Sequence, residues 1–386
     1  MALVVAFYYL SYRYPFQINS SMTSPSYQDT PATLQAAKYG LFVGIAATAL
    51  VYFSVSRARR PFIRVSVPPL VVLGLSVVAL WPVAQAMLFG RPDLVETGVF
   101  FVLTVLYLLV APELDVSGTL RTAKAFVVIA LAVNLLQIGL YLAVGRLPAL
   151  AYEGTTSIRF GSLWDDPNGF AVVIAYLLPV AAVGFRRFRI LMVLLLLGSL
   201  VLTQSVTGIV ATLAAVVIVW VLRLRLTSTW IPAFLVVVVI AAAVRLASLV
   251  SNPVVEAFVE GKSGSVQGHL EALTILDGLG LGQLLGFDPM LATVESGYVD
   301  LIGTEGVPFA VVYVLALLAL LHRSMVNARG TDDRSRAVHL ASATLSVAIL
   351  VALVNLPVQS VFPLNALVAL SFAFEFCTPI RTERQL

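Results

Sequence analysis

Glu295, in the stretch ESGYVDLIGTEG, is the side chain whose type and surroundings best suit proton transfer. A carboxyl group at the roof of an apolar cavity is pushed towards its neutral form and can serve as a base near neutral pH. Its plainer reading is a first-turn acid held by a helix dipole. His269, in QGHLEAL, is neutral or charged near pH 7 and can hydrogen-bond a ligand, or it is a solvated residue at a helix start. Arg159, in RFGSLWDDPNGFA, lies within reach of Asp165 and Asp166, so it is either a structural ion pair or a cation offered to a ligand. Asp166 and Asn168 flank a proline in the pattern of a helix N-cap. Gln204, in TQSVTG, can bond a ligand or satisfy backbone, and Tyr298 can stack on a ring or belong to an interfacial aromatic belt. Lys262 and Arg245 are the other nearby cations, with snorkelling to the interface the simpler reading of Arg245. The histidines His269, His322 and His339 show no metal-ligand spacing, and the single cysteine, Cys377, permits no intrachain disulfide, so no metal or cofactor is expected.

Something other than a soluble core must position these residues. Of 386 residues, 60% are hydrophobic and 11% charged, and the mean hydropathy is +0.97. A soluble domain carries about 25% charged residues, which excludes an ordinary cytosolic enzyme. At about 20 residues per crossing, the length reads as one all-α polytopic membrane domain over 1–386. Apolar runs predict twelve spans, at 1–12, 34–55, 67–89, 95–110, 123–144, 169–185, 190–205, 208–222, 230–249, 306–321, 338–356 and 363–377. The first has no cleavage pattern and reads as a retained helix. TQSVTG reads as a tight turn between two of the spans.

Alternating those spans puts 17 of the 24 Lys and Arg residues on one side. By the positive-inside rule that side is cytoplasmic and holds both termini. A net charge of +4 then reports topology, and no nucleic-acid partner is inferred. Two external loops are long, 145–168 and 250–305, so the polar chemistry is expected outside. In the second loop, Leu270, Leu273, Leu276 and Leu279 recur at helical spacing until a Gly-rich stretch ends the pattern, and ESGYVDLIGTEG follows as a second amphipathic helix. Together they predict a roofed cavity at the outer face. Asp300 and Glu305 read as structural, and Glu375 as interfacial at the cytoplasmic end of the last span. GLGLG lacks the βαβ context of a dinucleotide fingerprint.

RFGSLWDDPNGFA (Arg159 to Ala171), LVLTQSVTG (Leu200 to Gly208) and QGHLEAL with LGLGQLLGFDP and ESGYVDLIGTEGVPFA (Gln267 to Ala310) follow one another in order. Over roughly 150–320 this arrangement resembles the O-antigen ligase and Wzy-type O-antigen polymerase superfamily of bacterial polysaccharide assembly; outside it only the hydropathy is similar. The resemblance implies a GT-C-like, metal-independent, inverting membrane glycosyltransferase. Its donor would be an undecaprenyl-pyrophosphate-linked oligosaccharide, used at the outer face of the bacterial inner membrane. Such a site needs a base at the acceptor hydroxyl and cations at the diphosphate. Glu295 matches the position of the base, and Arg159 with Lys262 or His269 would hold pyrophosphate.

Two departures bear on the choice within the superfamily. The hairpin arginine common there is absent from Ser205, Val206, Thr207, Gly208, and a Gly-Arg is replaced by Gly268, His269. An acid at Glu295, where ligases have histidine, tilts the reading towards a repeat-unit polymerase, with a chain-length regulator as an open partner. A ligase that delivers the chain to lipid A core or a protein is the first alternative. A secondary transporter of twelve spans is the second, weakened because the in-membrane polar residues Asn134, Gln137, Asn355 and Gln359 are few and the halves differ in loop length.

Overall fold

The computed structural model describes residues 69–90, 116–144, 151–153, 158–162, 167–223, 274–290, 296–329, 333–356 and 364–377, with scattered positions between 40 and 55. Helices α1 (Pro69–Phe89) and α2 (Val116–Val144) come first, then strands β1 (Ala151–Glu153) and β2 (Ile158–Phe160). Helices α3 (Pro167–Gly184), α4 (Arg189–Leu202) and α5 (Val206–Arg223) follow. Next come the short α6 (Leu281–Leu284) and α7 (Gly297–Glu305), and then α8 (Val307–Arg329), α9 (Asp333–Ala352) and α10 (Leu364–Cys377). Ser117–Ala143, Pro167–Gly184, Val307–Arg329 and Ser335–Ala352 are long and apolar enough to cross a membrane. Eight of the twelve expected spans coincide with described helices. Those at 1–12, 95–110 and 230–249 lie outside the described residues, and 34–55 is described only at scattered helical positions.

The described residues are mostly helical, with one small addition that the sequence did not predict. The loop expected at 145–168 contains an antiparallel β-ribbon, with Ala151 opposite Phe160, Tyr152 opposite Arg159 and Glu153 opposite Ile158. Three-residue strands leave no hydropathy period to read, so pattern alone could not find them.

Helix α3 is the centre. It is apolar around its whole circumference, and Phe170, Val173, Ile174 and Leu177 are fully buried among α2, α4, α5 and α9. Its principal neighbour, α9, carries Ala337, Ala341, Ala343 and Ala348 with Ser342, Thr344 and Ser346, small side chains that let two backbones approach. The hydroxyls do more than fit. Thr344 Oγ1 donates to the Ala175 carbonyl at 2.7 Å, and Thr212 Oγ1 of α5 donates to the Ala171 carbonyl at 2.8 Å, both crossing to α3. Around this centre α4 turns Ile190, Leu191, Leu194 and Val201 outward, an apolar exterior suited to lipid.

Polar residues within the helices act as clamps. Gln137 of α2 donates through Nε2 to the Ser162 carbonyl at 2.7 Å and accepts the Ser162 N–H through Oε1 at 3.0 Å, while Ser162 Oγ donates to the Ala130 carbonyl at 2.6 Å. Ser162 has φ 55, a left-handed conformation that this three-bond clamp holds for a residue with a side chain. Gln137→Leu would strand a buried N–H and a buried carbonyl at about 1–3 kcal/mol each. We expect a fall in unfolding free energy of about 3 kcal/mol, read by denaturant unfolding in detergent micelles.

Candidate functional site at one end of the bundle

Three sequence motifs, far apart in the chain, meet where α9 ends. The first contact lies between the β-ribbon and the α4–α5 hairpin. Arg159, the middle residue of β2, is almost wholly buried and donates from Nε to the Thr203 carbonyl at 2.7 Å and from Nη2 to Asn168 Oδ1 at 2.6 Å. The helix C-terminal carbonyl end at Thr203 is a natural place for a cation. Asn168 is the second residue of α3, and its Oδ1 accepts from the arginine. Asp165 and Asp166, the partners expected for Arg159, lie outside the described residues.

The hairpin is built from its own polar groups. Thr203 Oγ1 donates to the Leu200 carbonyl at 2.7 Å and accepts the Ser205 N–H at 3.2 Å, and Ser205 Oγ accepts the Gly208 N–H at 3.0 Å. Gly208 packs so closely that a Cβ there would overlap Ala171 Cβ, so α3 and α5 touch at their starts. This is the tight turn expected from TQSVTG. At its apex Gln204 takes φ 49, which costs about 1–2 kcal/mol for a residue with a Cβ. Gln204→Gly is expected to raise stability by about 0.5–1 kcal/mol, since glycine's own entropy offsets part of the relief. Lost activity in that more stable variant would mark the side chain as a substrate contact, and unchanged activity would make it structural.

The third motif is seated by α9. Asn355, just beyond that helix, donates from Nδ2 to Thr207 Oγ1 at 3.1 Å. A turn earlier, the Leu353 carbonyl accepts the Tyr298 N–H at 2.9 Å, and the Leu350 carbonyl accepts the Tyr298 hydroxyl at 2.8 Å. Gly297 lies against the Leu356 carbonyl with no room for a Cβ. Half-burial raises the Tyr298 phenol above its ordinary pKa, so the hydroxyl remains a donor throughout the physiological range. Tyr298 thus anchors α7 to α9 through both its backbone N–H and its hydroxyl.

Helix α1 holds the far side of this end. Trp81 Nε1 donates to the Glu305 carbonyl at 2.8 Å, and Gln85 Nε2 donates to the Gly286 and Thr304 carbonyls at 2.9 and 3.0 Å. Gly286 (φ 78) and Gly306 (φ 92) bring two backbone segments into contact where a side chain on either would clash. The first helical pattern of the large loop survives as a helical stretch at 274–278, and the second is α7. Asp300 and Glu305 are buried, in keeping with structural roles.

The described part of the site therefore joins Arg159, Asn168, Gln204 and Tyr298. Glu295 immediately precedes the seated start of α7 but itself lies outside the described residues, as do His269, Lys262, Arg245 and Asp166. Among the described residues no group of three His, Cys, Asp or Glu could hold a metal ion. Sequence reasoning missed Asn355, the residue that ties the hairpin to the segment carrying Tyr298. Its signal was an amide in an apolar run, weighed there only as evidence about transport. No protein-family model matches this sequence, and no curated protein matches it either.

Proposed function

We propose that the chain is a membrane glycosyltransferase, a polysaccharide polymerase, which moves a lipid-linked saccharide chain from undecaprenyl pyrophosphate onto a saccharide acceptor. The observation that supports this reading is that Arg159 ties RFGSLWDDPNGFA to the TQSVTG hairpin, and that the end of α9 ties the same hairpin, through Asn355, to the segment carrying Tyr298. In this reading the fold is GT-C-like, with about twelve spans and a large external loop. The protein sits in the bacterial inner membrane with both termini cytoplasmic and the site facing the periplasm or cell exterior.

The chemistry is a displacement at the anomeric carbon. An acceptor sugar hydroxyl attacks, the bond to the diphosphate oxygen breaks, and the hydroxyl proton passes to the Glu295 carboxylate, which inverts the anomeric centre. Arg159 keeps its charge at every accessible pH, so it stabilises the departing diphosphate even while two of its nitrogens hold protein oxygens. Lys262 and His269 in the large loop, and Arg245 shortly before it in the sequence, are the further cations that this reading assigns to the donor.

The test is a reaction of the purified full-length chain with radiolabelled lipid-linked repeat, resolved on a gel. A ladder of products is expected, and Glu295→Gln is expected to slow it by about 10²–10⁴-fold, the usual share of a general base. An unchanged ladder in that variant would remove Glu295 from the mechanism. A single addition onto a foreign acceptor would convert the reading to a ligase, and flux across proteoliposomes without bond cleavage would replace it with transport.

A further inference from the structure

The opposite end of the bundle holds a second polar cluster, which the outer-face chemistry does not use. His339, on α9, is 14 residues before Leu353 and so about 21 Å away along the helix. Glu375 of α10 is fully buried there. Its Oε2 accepts from Asn327 Nδ2 of α8 at 2.9 Å and lies 2.8 Å from His339 Nδ1. The Glu375 carbonyl accepts from Asn327 Nδ2 at 3.0 Å and from Arg323 Nε at 3.2 Å. Phe374 covers the imidazole at 5.1 Å between ring centroids, and Arg323 lies 6.0 Å over Phe376. Three helices are joined by one carboxylate.

A purely structural joint would have its polar atoms paired, because an unsatisfied group buried in the bundle costs about 1–3 kcal/mol. Here Glu375 Oε1, His339 Nε2, Ser371 Oγ and Ser324 Oγ are all buried with no hydrogen-bond partner among the described residues. Ser371 lies one turn before Glu375, and Ser324 one turn before Asn327, so the four atoms line the same junction of α8, α9 and α10. With Glu375 ionised, Oε2 only accepts, so the ring donates from Nδ1 and Nε2 is left with a lone pair. The ionised pair thus presents two acceptors, Oε1 and Nε2, and lacks a hydrogen for either. A proton on Nε2 converts that acceptor to a donor and takes the pair from net −1 to net zero. The hydroxyls of Ser371 and Ser324 can carry a water to Oε1. Calcium and magnesium fit less well, since they take six or more oxygen ligands, and among the described residues no third His, Cys, Asp or Glu joins the pair to complete a transition-metal site.

We propose that Glu375, His339, Asn327, Ser371 and Ser324 form an internal proton-binding site, loaded with one proton from the basic end of the bundle that carries Arg323 and Arg329. Among the described residues, the charged and titratable groups near it are Arg323 from α8, Tyr176 from α3 and Arg336 one turn before His339 on α9. An ionisable pair placed inside a membrane bundle is costly unless it has work to do, and proton exchange is the work these atoms are equipped for. This inference stands independently of glycosyl transfer.

The experiment is nitrogen-15 NMR of histidine-labelled full-length protein in nanodiscs, with His339 assigned by its absence in His339→Gln. As pH falls from about 9 to about 5, the His339 ring is expected to pass from one ring proton to two. In Glu375→Gln the transition should move to lower pH, with at least a tenfold loss of proton affinity. Exchanging sodium for potassium should leave it in place. A ring that keeps one protonation state across the range overturns the proposal, as does a transition set by sodium concentration or one unmoved in Glu375→Gln. Should that variant fail to fold, the titration and salt exchange of the native chain decide the question alone.

Discussion

Arg159→Ala is expected to lower the rate of polymer formation by at least about a hundredfold, the loss of one charge-assisted donor at a departing oxyanion. Two effects combine at this position. The guanidinium supplies positive charge where diphosphate would leave, and through Thr203 and Asn168 it holds the hairpin to the start of α3. Arg159→Lys retains the charge but not the planar fork, so it cannot reach both oxygens in the same geometry. Partial recovery in the lysine variant, with the alanine variant still folded by its thermal transition, would locate the effect in the reaction. Equal losses of rate and stability in both would assign Arg159 to architecture alone, and an unchanged alanine variant would exclude it from both roles.

Gly297→Ala is expected to be the most damaging single methyl group in the described structure. The new Cβ would overlap the Leu356 carbonyl and Leu353 Cδ2 at the point where α7 sits on the end of α9. Backbone cannot move aside there without breaking the Tyr298 N–H bond to Leu353 and shifting the segment that follows Asn355. We expect a loss of about 3 kcal/mol, the upper range for overpacking, seen as a lower midpoint in thermal unfolding in micelles. Activity should fall further than stability does, because Glu295 is two residues upstream. A variant with native stability and native rate would mean that α7 can leave α9 freely.

How much of this was legible follows from what each signal measures. Long apolar runs bounded by charge, such as those that became α2, α3, α8 and α9, are sums over about 20 residues and survive any local error. TQSVTG was readable as a turn because its polar residues interrupt a run too long for one crossing, and ESGYVDLIGTEG was readable as a helix from its period. The β-ribbon at 151–160 was not, since three residues per strand carry too little alternation. Arg159 was singled out by its motif, and the structure buries it. Its observed partners, a main-chain carbonyl 44 residues away and the Asn168 side chain, depend on which helices are neighbours.

The order of apolar and polar segments is a local property, and from it alone came the membrane character, the helical build and the three motifs that converge. Which polar atoms meet is not local. Asn355 reaches Thr207 across 148 residues and Glu375 reaches His339 across 36, because α9 is lined with side chains small enough to bring neighbouring helices against it. Close approach of backbones is set by packing of both partners at once, so tertiary structure alone decided that Glu375 is buried beside a histidine and that a glutamine, two glycines and an asparagine hold the ends of the bundle in place.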